Sequence, residues 1–367
     1  MKEISELKTI LRQYFVWNKA RLDCFTKTLL ALFITRTVNL SELAVALMSP
    51  ATIGSRYKRL QRFFAQFRIE YDVIAKLIFK LFFSGQKLYL TIDRTNWFWG
   101  KTKINLLTLA IAYEGVAIPL FWCLLNKAGN AKAKEHRAMI VRFVRLFGKD
   151  CIGGVLGDRE FASREFFGFL NKNAIPFYIR IKEDSNVCIK TKKFSTAKKL
   201  FSHLNLREKS EFQMKIWLYG QAVFLAGSRS ERGELMIVAT NQKPKAAIAI
   251  YLRRWEIETL FSCLKGRGFR FEETHIVHRE RIKKMMAVLA IGFCWAHKTG
   301  EWRARLKPIR FSKHQQNLRP QNSYFRYGLD YIRDMIINPF RKRAEFRKIL
   351  ALLQFDCHCP VILGEPS

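Results

Sequence analysis

The feature that most restricts the fold is a change of hydrophobic period at Lys87. Upstream, residues 1–80 carry apolar side chains at helical spacing, whereas in Lys87-Leu88-Tyr89-Leu90-Thr91-Ile92-Asp93 the apolar Leu88, Leu90 and Ile92 alternate with Tyr89, Thr91 and Asp93. Alternation at period two marks a strand with one buried face, so Asp93 is displayed from the other face, at or near a strand end. Two more strand-like runs follow at 104–113 and 116–124, separated by the turn signal Glu114-Gly115. A helix at 135–147, a strand at 151–156, a helix at 164–171 behind the cap Ser163 and a strand at 176–182 come next. Three strands in a meander, then helix, strand, helix, strand, predict an α/β domain built on a mixed sheet. Residues 104–125 approach the length of a membrane span, but Asn105, Glu114, Gly115 and Pro119 interrupt them, and a buried hairpin accounts for all four.

The flanks differ in texture. In the first 82 residues, Asn39 offers a helix cap, Ser49-Pro50 breaks the short helix it starts, and Gly54-Ser55 opens another that carries Arg56, Lys58, Arg59 and Arg62. This outline suits a helix-turn-helix DNA-binding unit; a plain helical bundle with a basic surface fits it as well. Residues 1–15 read as an amphipathic helix with internal acids and not as a signal peptide. Residues 183–245 hold short antiparallel strand patterns at 187–190, 212–219, 222–228 and 234–240, a β-rich insertion between the first part of the core (83–182) and the second (246–300). An apolar helix at 285–296 precedes a basic helical tail, 301–367, which includes Arg341-Lys342-Arg343.

Charge narrows the partner. The 367 residues carry 65 Lys+Arg against 30 Asp+Glu, a net charge of +35. Such an excess repels itself unless a polyanion offsets it, and the gain from counterion release points to nucleic acid. The cations are spread along the whole chain, which argues against a single membrane-surface segment. Eight Cys without a CxxC pair, mostly in apolar runs, read as reduced core residues of a cytoplasmic protein. Cys357-His358-Cys359 falls short of the four ligands a closed zinc site needs.

Residues 251–265, YLRRWEIETLFSCLK, read as one helix ending at Gly266. At ~100° per residue, Tyr251, Arg254, Glu258 and Lys265 fall within an arc of about 60°. That face is either a solvated, salt-bridged surface or one side of a site. Asp93, Asp158 and Glu258 each sit where they can face a common pocket, Asp158 in Gly157-Asp158-Arg159-Glu160-Phe161 after the fourth strand. Carboxylates ~4 Å apart repel by about 1 kcal/mol in water and about 4 at an effective dielectric of 20, so such a cluster needs a cation. Oxygen-only donors favour Mg²⁺ or Mn²⁺. Two such ions can activate a nucleophile and stabilise a leaving oxygen at phosphorus.

The spacing Tyr251-x2-Arg254-x3-Glu258-x6-Lys265 resembles the Y-R-E-K signature of bacterial insertion-sequence transposases of the "insertion-sequence four" family. Thr91-Ile92-Asp93-Arg94-Thr95-Asn96-Trp97 and Gly157-Asp158-Arg159-Glu160-Phe161 are similar to that family's first two catalytic blocks, and Phe325-Arg326-Tyr327-Gly328-Leu329-Asp330 to its C-terminal region. The resemblance covers about residues 85–360. It implies a ribonuclease H-like mixed-sheet core with a β-rich insertion and helical flanks. It also implies a DDE triad of Asp93, Asp158 and Glu258 on two Mg²⁺ or Mn²⁺ ions, with Tyr251, Arg254 and Lys265 on DNA phosphates. Glu256, the rival acid, lies about 140° from Tyr251 on the wheel. The implied reaction is hydrolysis at the ends of an element to a free 3′-OH that attacks target DNA, by cut and paste inside a homodimer holding both terminal repeats. Arg56, Lys58 and Arg59 are the N-terminal DNA candidates. Trp217, in the insertion, is either a base-stacking residue or a core tryptophan. Arg159 and Glu160 stand as supporting groups or as ion-paired scaffold, and His275 and His278 as surface residues, with a DNA contact the lesser alternative. An inactive DNA-binding regulator and a structure-selective nuclease are the alternatives on the same core.

Overall fold

The computed structural model describes residues 2–125, 132–190, 193–311, 319–339 and 342–354. Cys357-His358-Cys359, Arg341 and most of the polar loop 126–134 lie outside the described residues. Five helices come first: α1 (Lys2–Arg12), α2 (Lys19–Thr35), α3 (Leu40–Ala46), α4 (Ile53–Gln66) and α5 (Tyr71–Phe82). Strands β1 (Leu88–Trp99), β2 (Thr102–Tyr113) and β3 (Val116–Leu124) form the meander, followed by α6 (Ala133–Phe147), β4 (Ile152–Gly157), α7 (Arg164–Lys172) and β5 (Phe177–Ile181). The insertion consists of β6 (Asn186–Lys190), β7 (Lys193–Thr196), α8 (Ala197–Leu200), β8 (Lys209–Leu218), β9 (Gln221–Arg229) and β10 (Leu235–Thr240). Helices α9 (Ala247–Leu252), α10 (Glu256–Leu264), α11 (Arg279–Leu306), α12 (Tyr324–Ile337) and α13 (Arg343–Ala351) complete the order.

The described strands join one sheet in the order β3-β2-β1-β4-β5-β10-β9-β8-β6-β7. In its first half β1 pairs antiparallel with β2 and parallel with β4, and β4 pairs parallel with β5. That arrangement is a ribonuclease H-like core. The insertion strands extend the same sheet, because β10 pairs antiparallel with β5. β2 and β3 are buried along almost their whole length, with α5, α10 and α11 against β3, which is why their sequences read as continuous apolar runs and not as alternation. No single described helix is long and apolar enough to cross a membrane. The bent pair α2 and α3 passes only jointly, across a 100° turn, and α2 packs on α4, α11 and α12.

Three expectations change. Asp93 is not near the end of its strand: β1 continues through Trp99, held after Ile92 by β2 alone. The helix expected over 251–265 is broken, since residues 253–255 wind as a 3-10 turn between α9 and α10. The ψ values of −15° at Arg253 and −18° at Trp255 are tighter than an α-helix takes. The basic tail is not continuous helix either, for Phe311 and Pro320 bridge as extended backbone between α11 and α12. Gly328 is explained by that region's packing, because a Cβ there would lie 1.8 Å from the Ala296 carbonyl oxygen on α11.

Asp23 on α2 ties the N-terminal helices together. Its carboxylate meets Lys8 of α1 at 2.9 Å, Lys27 at 3.0 Å and Arg59 of α4 at 3.0 Å. Burial works against the charge, but hydrogen bonds from Lys8 and Lys27 and the charge of Lys27 outweigh it and draw the pKa down to about 2. A depressed carboxyl pKa stabilises the fold above the unfolded value and loses that contribution as pH falls through the folded one. Asp23→Asn is therefore expected to cost about 2 kcal/mol at pH 7, at 1.36 kcal/mol per pKa unit. The difference between variant and wild type should shrink as pH falls from about 4 to 2, and denaturant melts across that range will measure it.

Candidate active site

Two acids emerge together from the sheet. Ile92 and Gly157 are partners on the parallel strands β1 and β4, so the next residues, Asp93 and Asp158, leave side by side at the carboxyl end of β4, about one strand spacing (~4.8 Å) apart. Clefts at the carboxyl ends of parallel strands are where α/β sheets carry ligands. Each carboxylate accepts from the backbone N–H of the residue that follows it, Asp93 Oδ1 from Arg94 at 2.8 Å and Asp158 Oδ1 from Arg159 at 2.7 Å. Arg94 and Glu160 lock the two segments together: the Arg94 Nε donates to both Glu160 oxygens at 2.9 Å. Both side chains are largely buried.

Glu258 approaches from α10. Arg254 stands between it and Asp93, its Nη2 donating to Glu258 Oε1 at 2.8 Å and its Nη1 lying 3.4 Å from Asp93 Oδ2. Positions three and four apart share one face of a helical segment, so Arg254 can meet Tyr251 on one side and Glu258 on the other. Arg254 thereby sits above Tyr251 and donates from Nε to its hydroxyl at 3.2 Å. Arg254 is buried and Asp93 nearly so, while the Glu258 side chain is 44% exposed. Burial raises the Asp93 pKa to about 6; the Arg94 N–H and the Arg254 charge oppose that rise, and Glu160 and Glu258 add to it. Glu256 faces elsewhere, pairing with Arg253 at 3.5 Å, and burial raises its pKa against the opposing charge of Arg253.

Lys265 belongs to a neighbouring cluster. Its ammonium contacts Glu272 Oε1 at 2.9 Å, lies 3.5 Å from the Asn96 carbonyl oxygen and sits 5.3 Å from the centre of the Trp97 ring. Tyr251, Glu258 and Asp93 are thus joined through Arg254, and Lys265 is linked to β1 by its contacts with Asn96 and Trp97. Among the described residues, no three His, Cys, Asp or Glu side chains stand close enough together to hold a metal ion. The donor set of carboxylate oxygens suits a hard divalent cation, but here the positive charge between Asp93 and Glu258 is the Arg254 guanidinium.

The family model "Transposase DDE domain" matches residues 90–295, a span that contains all three acids. The chain belongs to the DDE transposase family. No curated protein matches it. Among solved structures, the cryo-EM structure of the piggyBac transposase synaptic complex with hairpin DNA is similar over 98% of this chain and 84% of that one, at 9% identity and a TM-score of 0.48.

The other candidates lie away from the acids of this DDE domain. Trp217 is 57% exposed on β8. It is five strands from β1 in sheet order, about 24 Å across the sheet at ~4.8 Å per strand. Arg56 is turned inward to the carbonyls of Ala51 at 2.7 Å, Val45 at 3.2 Å and Ser49. Arg59 is held by Asp23 and the Ala20 carbonyl. Lys58 is exposed on α4, as are His275 and His278 in the segment before α11. Sequence reasoning missed the role of Arg94 and of Glu272. The signal for Arg94 was its place directly after Asp93, matched by Glu160 two residues after Asp158; for Glu272 no signal existed, since only the fold brings it to Lys265.

Proposed function

We propose that this protein is a DNA transposase of the "insertion-sequence four" group, cleaving phosphodiesters at the ends of its element and joining the freed 3′-OH ends to target DNA by cut and paste. The observation that carries the proposal is the emergence of Asp93 and Asp158 from adjacent strands, with Glu258 joined to Asp93 through Arg254, inside the matched DDE domain. Asp93, Asp158 and Glu258 would hold two Mg²⁺ or Mn²⁺ ions, which supply activation of the attacking oxygen and stabilisation of the leaving one. The chain's own groups do the rest. Tyr251, Arg254 and Lys265 bind and orient the phosphates beside the scissile bond. The Arg94–Glu160 pair keeps the two aspartates in register, and the basic surface holds terminal-repeat and target duplexes in a homodimer on paired ends. Arg254 changes partners in this scheme: it balances Asp93 and Glu258 without metal and turns to phosphate when DNA and metal arrive.

The test is incubation of the purified full chain with Mg²⁺ or Mn²⁺ and a supercoiled plasmid carrying the coding region and its native flanks. The expected products are a double-strand break at each element end and an excised fragment ending in 3′-OH. Binding to the flanks without metal-dependent nicking would overturn the proposal in favour of a regulator, and cutting indifferent to the ends would favour a structure-selective nuclease.

A further inference from the structure

Beyond Asp93, residues 94–99 of β1 run on as an arm paired only with β2 and closed by the two-residue turn Gly100-Lys101. Gly100 takes φ +54°, the positive value that a tight hairpin turn demands of its first residue. The tip is aromatic and cationic. Phe98 is 63% exposed, Lys103 lies 5.7 Å over its ring, and Lys101 projects into solvent. Cations gathered on an exposed projection are what neutralise the phosphates of a DNA backbone.

The arm does not stand alone. Trp99 stacks on His275 with ring centres 4.1 Å apart, and His275 Nε2 lies 3.5 Å from Asn39, the residue that caps α3. Past this junction a polar cleft of about 170 Å³ opens into a groove of about 590 Å³, and the two share Gln61 and Arg281. Lys58 and Arg62 of α4 face the groove, and no carboxylate lines either space among the described residues. The groove has firm walls, because buried Lys284 of α11 donates to the Phe64 and Ala65 carbonyls at the end of α4 at 2.9 and 3.2 Å. On the near side Lys265 links the arm to α10.

We infer that the β1–β2 arm and the groove between α4 and the start of α11 form one continuous duplex-DNA track leading away from Asp93. The inference rests on the DNA-cleaving reading and adds to it the path of the duplex and two contacts, Lys101 and Arg281, that the signature residues do not include. Six strand residues at ~3.3 Å carry the arm about 20 Å from Asp93, close to six base pairs of B-DNA at ~3.4 Å each along a strand. Phosphate neutralisation along the arm and then along α4 holds the duplex on both sides of the Trp99–His275 junction.

The experiment is fluorescence anisotropy with a labelled ~24-base-pair duplex carrying the element's own end, from about 50 to 200 mM salt. Wild type, Lys101→Ala, Arg281→Ala, the double variant and the control Lys172→Ala on α7 are compared, each checked for an unchanged melting temperature. Each single variant should bind severalfold more weakly and lose about 1 from the slope of log affinity against log salt, at ~0.9 per phosphate contact. The double variant should lose about 2, and Lys172→Ala nothing. Wild-type-like slopes for both singles, with wild type binding the duplex, would overturn the track and leave the transposase reading standing. A track that binds heparin as well as duplex, weakened equally by the same changes, would overturn its assignment to DNA. A wild type that binds no duplex at all would take both readings down together.

Discussion

Asp93→Asn, Asp158→Asn and Glu258→Gln are each expected to lower strand cleavage at element ends by at least about 10³-fold, while binding to the uncut end stays within a fewfold of wild type. The size follows from what each change removes. Loss of one preorganised group facing developing charge already costs about 10² to 10³, and on the proposed two-ion scheme the loss would also weaken the hold on the ions. Isosteric amides keep the shape and the backbone contacts, so the defect isolates the charge. The informative control is Glu256→Gln. Glu256 sits two residues from Glu258, but it pairs with Arg253 and is buried enough for its pKa to rise, so its replacement by the neutral amide should leave cleavage within about threefold and shift stability by about 1 kcal/mol or less. Single-turnover cleavage of a labelled end, with anisotropy for binding, separates the outcomes. Cleavage surviving Glu258→Gln but lost with Glu256→Gln would mean the wrong face of α10 had been chosen.

Part of this site was readable from side-chain order alone. Leu88, Leu90 and Ile92 alternate with Asp93 along β1, and apolar β4 ends where Asp158 begins, so the strand that carries Asp93 and the strand end that carries Asp158 were both traceable. The remainder of β1 was not, since Arg94-Thr95-Asn96-Trp97-Phe98-Trp99 does not alternate in polarity and is held extended by β2, a contact no local pattern encodes. The 3-10 turn at 253–255 was equally hidden, because a departure of about 25° in ψ from the α-helical value leaves the apolar pattern of the segment unchanged. Cation partners were the least legible of all. Arg56 and Arg59 occupy helix positions that read as outward, and only the packing of α4 on α2 and α3 supplies the carbonyls and the Asp23 carboxylate that engage them. A helical wheel assigns faces but cannot say what each face meets.

Arg254→Met should destabilise the metal-free protein by about 3 kcal/mol and, in the same variant, make divalent metal a stronger stabiliser than it is for wild type. Arg254 and Asp93 form the buried part of the network, and removing one partner of such a pair strands the other's charge at a cost of about 3–5 kcal/mol. The contact with half-exposed Glu258 adds ~1 kcal/mol or less, which sets the estimate at the low end. In wild type a divalent ion must displace a guanidinium already bonded to Asp93, Glu258 and Tyr251; in the variant the acids have no internal cation, and an ion is their nearest source of positive charge. A ligand at a hundredfold its Kd stabilises by about 2.7 kcal/mol, so millimolar Mn²⁺ should recover most of the variant's loss while moving the wild-type melting temperature less. Thermal melts across a Mn²⁺ series, with calorimetric titration of Mn²⁺ into both proteins, measure the two quantities without any DNA. A variant as stable as wild type, or one no more responsive to Mn²⁺, would show that Arg254 does not hold the place between the acids. With both effects present, the same arginine explains why the acids can lie close together before any ion binds, and why phosphate, metal and protein compete for one position: by linkage, DNA that draws Arg254 away must raise metal affinity by the factor by which metal raises DNA affinity.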